Sequence, residues 1–167
     1  DTLNELNEWG FAAARDDSER LGGLLTISST NGFEGSQSVE LSRNTEHNNS
    51  QFVTNSAVLT LDLSGYDANT TDIFLDFSFT RGNFSYSNSN NVRIKGSPSD
   101  NNLVIYDWDN NLPDYLEWES VKRLNLSQAL RNSGQNFSDS TQIRFVERGD
   151  TTVLDAYLTP VLKKYIN

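Results

Sequence analysis

The chain has 167 residues and a formal net charge of −10, so its surface repels phosphate backbones and nucleic acid is not an expected partner. It has no cysteine and a single histidine, which removes disulfide frameworks and thiolate metal sites. Hydrophobic residues make up 35% and aromatics 11%, with nine Phe, which predicts one domain over residues 1–167 with a thin, aromatic-rich core under a very polar surface. No apolar run reaches the roughly 18 residues of a membrane span, so membrane insertion is not expected. Absence of cysteine is common in exported modules, and with Asp1 as the first residue the chain reads as a mature product or excised domain, extracellular or at the cell surface.

Residues 1–23 read as a linker and first strand, with Trp9 and Phe11 alternating around Gly10 and a charged loop at Asp16, Asp17, Glu19 and Arg20. Leu24–Ser29 is a short strand, and Asn31-Gly32 is a strong turn signal. Ser36–Ser42 alternates as a strand; residues 43–56 are polar, and His47 among them reads as a solvated loop residue. Ala57–Leu63 is a strand closed by a turn at Ser64-Gly65-Tyr66-Asp67. Ile73–Thr80 carries the strongest alternation, with Ile73, Leu75, Phe77 and Phe79 on one face and Phe74, Asp76, Ser78 and Thr80 on the other.

Asn91–Gly96 puts Val92 and Ile94 inward and Arg93 and Lys95 outward; Leu103–Trp108 returns after a turn at residues 97–102. Leu116–Leu126 is a long strand with Leu116, Trp118, Val121 and Leu124 as core candidates, and Ser127–Leu130 one helical turn. Ser140–Arg148 and Thr152–Leu158 read as a pair joined by a Gly149-Asp150 turn, with Ile143 and Phe145 inward and Arg144 outward. About nine to ten short strands without a long helix predict an all-β, two-sheet antiparallel β-sandwich, best fitted by a jelly roll.

The order of segments is itself familiar: GSQSVEL (35–41), NSAVLTLDLSGY (55–66), IFLDFSF (73–79), NVRIKGSPSDNNLVIYDW (91–108), WESVKRLNLSQAL (118–130), STQIRFVERGD (140–150) and VLDAYLTPV (153–161). This resembles the jelly-roll modules appended to bacterial extracellular proteins, of the MAM-like, galactose-binding-like and carbohydrate-binding-module kind. The resemblance runs over residues 33–162 and rests on framework strands. It implies carbohydrate binding, or adhesion and spacing beside other domains of a larger secreted protein. It also implies a structural Ca2+ between an early loop and the last strand, which would recruit Asp155 with Asp16 or Glu34. Leu154-Asp155-Ala156 stands where such modules often have Asp-Asp-hydrophobic, which departs from that metal pattern.

Three constellations carry chemistry. If the best strands are neighbours, Asp76, Arg93, Lys95, Arg144 and Arg148 line one open sheet surface, where guanidinium forks suit carboxylates, sulfates and vicinal hydroxyls; the alternative is an ordinary surface with Asp76–Arg93 and Asp76–Arg144 ion pairs. Tyr106, Trp108 and Tyr115, with Phe84 and Tyr86, are rings placed to stack on sugars; the alternative is that Trp108 and Trp118 cap the core. Acidic clusters at Asp107–Glu119, Asp16–Glu19 and Asp150–Asp155 offer oxygen ligands without EF-hand spacing. No Gly-x-Ser-x-Gly element and no phosphate-cradling glycine loop occurs, so no enzyme chemistry is expected from these motifs.

The expectation is therefore a non-catalytic polysaccharide-binding module using Asp76, Arg93, Lys95, Arg144, Tyr106, Trp108 and Tyr115. The alternatives are an adhesion module with a protein partner, or a polysaccharide-active enzyme domain with two carboxylates facing a cleft.

Overall fold

The computed structural model describes residues 12–13, 23–28, 38–43, 53–81, 90–108, 110–111, 114, 117–149 and 156–165. Among the described residues ten strands and one helix follow in chain order: β1 (Ala12–Ala13), β2 (Gly23–Ser28), β3 (Ser38–Arg43), β4 (Val53–Leu61), β5 (Asp72–Arg81), β6 (Asn91–Lys95), β7 (Leu103–Asp107), β8 (Trp118–Asn125), α1 (Leu126–Ser133), β9 (Thr141–Gly149) and β10 (Ala156–Tyr165). They form two antiparallel five-stranded sheets, a front sheet ordered β2-β3-β10-β5-β8 and a back sheet ordered β1-β4-β9-β6-β7. From β3 onward the chain changes sheet at each step except the β6–β7 hairpin, which is the jelly-roll path. β1 and β2 extend one edge of each sheet.

The core is the meeting of the two inward faces. Alternation in β5 turns Ile73, Leu75, Phe77 and Phe79 inward, all at most 2% exposed, against Leu59, Val92, Ile94, Ile143 and Phe145 of the back sheet. Phe77 meets Phe145 edge-on, with centroids 5.6 Å apart and an interplanar angle of 76°. Each such side chain buried from water contributes about 1.5–3 kcal/mol.

The chain leaves β8 straight into α1, longer than the single turn expected from Ser127–Leu130. Asn125 is its N-cap, its Oδ1 accepting from Gln128 N at 2.8 Å, and Gly134 closes it in the left-handed region at φ 71°. Leu126 and Leu130 are fully buried, and Ser127 Oγ accepts from Ile73 N at 2.9 Å, so the helix covers one end of the sandwich and satisfies a donor near the start of β5. Arg131 forms an ion pair with Asp72 at 2.9 Å and also donates to Ala68 O. The segment after α1 runs so close to Gly96 that a Cβ there would lie 2.0 Å from Asn136 O, which explains a glycine at the end of β6.

Two expectations are corrected. Segments 140–148 and, of 152–158, the described 156–158 do not pair: β9 lies in the back sheet between β4 and β6, and β10 in the front sheet between β3 and β5. Two alternating strands flanking a Gly-Asp turn look alike whether they pair or cross between sheets. The last strand also continues through Pro160 to Tyr165 instead of ending at Leu158. β3 pairs only with Ala156–Leu158, so Pro160 lies past that ladder, where its missing N–H costs no bond to β3.

Candidate functional site

The register of the strands decides which expected site residues meet. In the back sheet, Arg93 of β6 lies directly opposite Arg144 of β9, and Lys95 opposite Gln142. Val58 continues this row on the β4 side of Arg144, and Val104 on the β7 side of Arg93. The row faces away from the core: it alternates with Ile94, Ile143 and Leu59, which point in. The expected adjacency of Arg93 and Arg144 is therefore present, with both half-buried.

Asp76 does not join them. It belongs to β5 of the front sheet, so neither Asp76–Arg93 nor Asp76–Arg144 forms, and the single ladder foreseen from alternation becomes two separate faces. Alternation says which residues share a face of one strand, not which sheet that strand enters.

On its own face Asp76 is 4% exposed and its Oδ1 accepts from Arg123 N at 2.7 Å. The β5–β8 register shifts between Leu75 and Phe77, so β8 bulges here, and Arg123 takes φ 58°. The carboxylate thus holds the amide of a left-handed residue, while the Arg123 guanidinium lies 5.2 Å from the centroid of the Phe74 ring on the same face.

The bulge also sorts the long strand. Val121 pairs with Phe77 and Leu124 with Leu75, both packed against the core, whereas Trp118 pairs with Thr80 and takes the outer face. Trp118, expected in the core, is half-buried on the outside of the front sheet. Beside it, Ser78 Oγ and Ser120 Oγ lie 2.8 Å apart across the strands. Thr80 is 3% exposed and its Oγ1 has no hydrogen-bond partner among the described residues. A buried hydroxyl left unpaired costs about 1–3 kcal/mol. The spacing of Trp118 and Val121, three residues apart and so on opposite faces of a regular strand, was the available signal.

Tyr106 and Trp108 do share a face, as alternation requires, but it is the inner one. Trp108 is 2% exposed and stacks on Phe79 at 5.4 Å with 16° between planes; Tyr106 stands edge-on to Phe77 at 5.5 Å. Neither presents an open ring to a ligand, because β7 closes the edge of the core and these are its inward positions. Burial, followed by the charges of Glu119 and Asp107, pushes the Tyr106 hydroxyl above the usual phenol range. Tyr115, Asp155, Asp16 and Glu34 lie outside the described residues, as do Phe84, Tyr86 and His47. Among the described residues no group of three or more His, Asp or Glu converges to hold a metal ion, and no helix is long and apolar enough to cross a membrane.

No family model and no curated protein matches the chain. Among solved structures it is similar to a family 30 carbohydrate-binding module, with a TM-score of 0.53 and 15% identity over 88% of this chain and 78% of that one. It is also similar to the xylan-binding domain of a family 22 carbohydrate-binding module, with a TM-score of 0.45 and 14% identity over 93% of this chain and 94% of that one. The protein is thus a jelly-roll β-sandwich of the type that carbohydrate-binding modules adopt.

Proposed function

We propose that the protein is a non-catalytic polysaccharide-binding module whose ligand lies on the outer face of the front sheet, across β5 and β8. The observation that carries this reading is Trp118, half-buried on the outer face of β8 directly across from Thr80 and beside the Ser78–Ser120 hydroxyl pair. A flat indole stacks on the C–H face of a sugar while hydroxyls beside it exchange hydrogen bonds with the sugar's own. Ser78 and Ser120, already bonded to each other, keep further donor and acceptor capacity for the same ligand. Shared fold with a family 30 carbohydrate-binding module supports the ligand class.

Asp76, a carboxylate of this face, holds the Arg123 amide. That engagement favours a structural role over acid–base or nucleophilic work, and so supports binding without turnover.

The test is native affinity electrophoresis through gels containing soluble polysaccharides such as xylan, mixed-linkage glucan and dextran. The wild-type chain is expected to be retarded by at least one of them, and Trp118→Ala to bind about thirtyfold more weakly, the roughly 2 kcal/mol of an aromatic anchor. Passage of the wild-type chain unretarded through every gel, or equal retardation of Trp118→Ala, contradicts the proposal.

A further inference from the structure

The opposite side of the sandwich carries a feature that sugar stacking does not use. Arg93 and Arg144 face each other across the β6–β9 ladder, at the centre of a row that runs Val58, Arg144, Arg93, Val104. Like charges directly opposite on antiparallel strands repel, and ordinary sheets set an acid against a base at such a pair. Here no acid does so: among the described residues neither arginine makes an ion pair. Arg144 Nε is buried with no hydrogen-bond partner among the described residues. Arg93 is held in place through Nε, which donates to Asn91 Oδ1 at 2.6 Å. Asp107, the carboxylate one row along on this face, accepts from Asn110 Nδ2 at 2.6 Å through its Oδ2. Beyond Arg93 the surface is open, for Val104 is 60% exposed.

We infer that the Arg93–Arg144 pair is a binding site for an anionic group on a polysaccharide, a uronate carboxylate or a sulfate ester. Two guanidiniums side by side present planar donor forks to oxygens that can accept two bonds at once, and a single oxyanion between them removes their mutual repulsion. Lys95, in register with Gln142 on the next row, adds a third cation, although its Nζ donates to Pro98 O at 3.1 Å. The site lies on the other sheet from the Trp118 face, so it is a second site on the molecule. It stands or falls independently of the first.

The overall charge of −10 makes the test discriminating, since a chain of that charge does not adsorb polyanions by its long-range field. Titrate the full chain by calorimetry with polygalacturonate and dextran sulfate, alongside Arg93→Gln and Arg144→Gln. One or both anionic polymers are expected to bind; the one that binds identifies carboxylate or sulfate as the recognised group. Each arginine substitution should weaken that binding about tenfold or more. Because the repulsion goes with the charge, the arginine variants should melt at or above the wild-type temperature, which shows that lost binding is not lost folding. Failure of both anionic polymers to bind overturns the inference. So do arginine variants that bind like wild type, or a fall in melting temperature that accounts for the lost binding.

Discussion

Tyr106 shows how a residue can be assigned to the right neighbours and the wrong solvent. It sits edge-on to Phe77 and Phe79 at 5.5 and 6.2 Å, with its hydroxyl near the charges of Glu119 and Asp107. Its folded-state pKa is raised above the ordinary phenol value of 10.0, first by burial and then by those two carboxylates. The fold therefore keeps the proton after the unfolded chain has lost it, and stability falls as pH rises past the unfolded value. Tyr106→Phe is expected to flatten the loss of melting temperature above about pH 10 without changing it at neutral pH; an unchanged alkaline slope contradicts this account. At this scale period-two alternation was a good guide. It put Ile143 and Phe145 in and Arg144 out, and it put Tyr106 and Trp108 on a common face. It could not say that their face was the inner one, because a ring between two aspartates is equally at home as a stacking platform and as the plug of a core edge.

The element that most shapes the candidate site is β8. A regular strand would place Trp118, Ser120 and Lys122 on one face throughout; the bulge opposite Asp76 restores Leu124 to the core after Val121 and leaves Trp118 outside with Ser120. The device depends on a non-glycine residue at φ 58° whose amide is held by a nearly buried carboxylate. Removing the acceptor leaves that N–H without its partner, so Asp76→Ala should destabilise the fold by about 1–3 kcal/mol, measured as a lower urea midpoint at constant slope. If the midpoint does not move, the bulge is held by other contacts. Asp76 was legible as an outward residue of the strongest strand. Its role was not, because a bulge is a relation between two strands and the partner, more than 40 residues away, supplies an amide that no side-chain pattern reveals.

Across the whole molecule, the number and antiparallel nature of the strands, and the jelly roll itself, follow from short alternating segments separated by turns. What did not follow was the partition of those segments between sheets. The path crosses from sheet to sheet at almost every step, so neighbours in sequence such as β9 and β10 are not neighbours in a ladder, while Arg93 and Arg144, 51 positions apart by their numbering, lie opposite each other. One expected polar surface was therefore divided in two: an aromatic and hydroxyl-bearing face on the front sheet, and a cationic pair on the back.

Mapping a neutral oligosaccharide onto the 15N-labelled chain by amide chemical-shift changes tests the front-sheet binding face most directly. The ligand is taken from whichever polysaccharide retards the protein. Shifts are expected to concentrate at Ser78, Thr80, Trp118 and Ser120, with the Trp118 indole N–H among the largest, and to leave the Arg93–Arg144 row unmoved. Shifts confined to the back sheet, or to neither sheet, would contradict it.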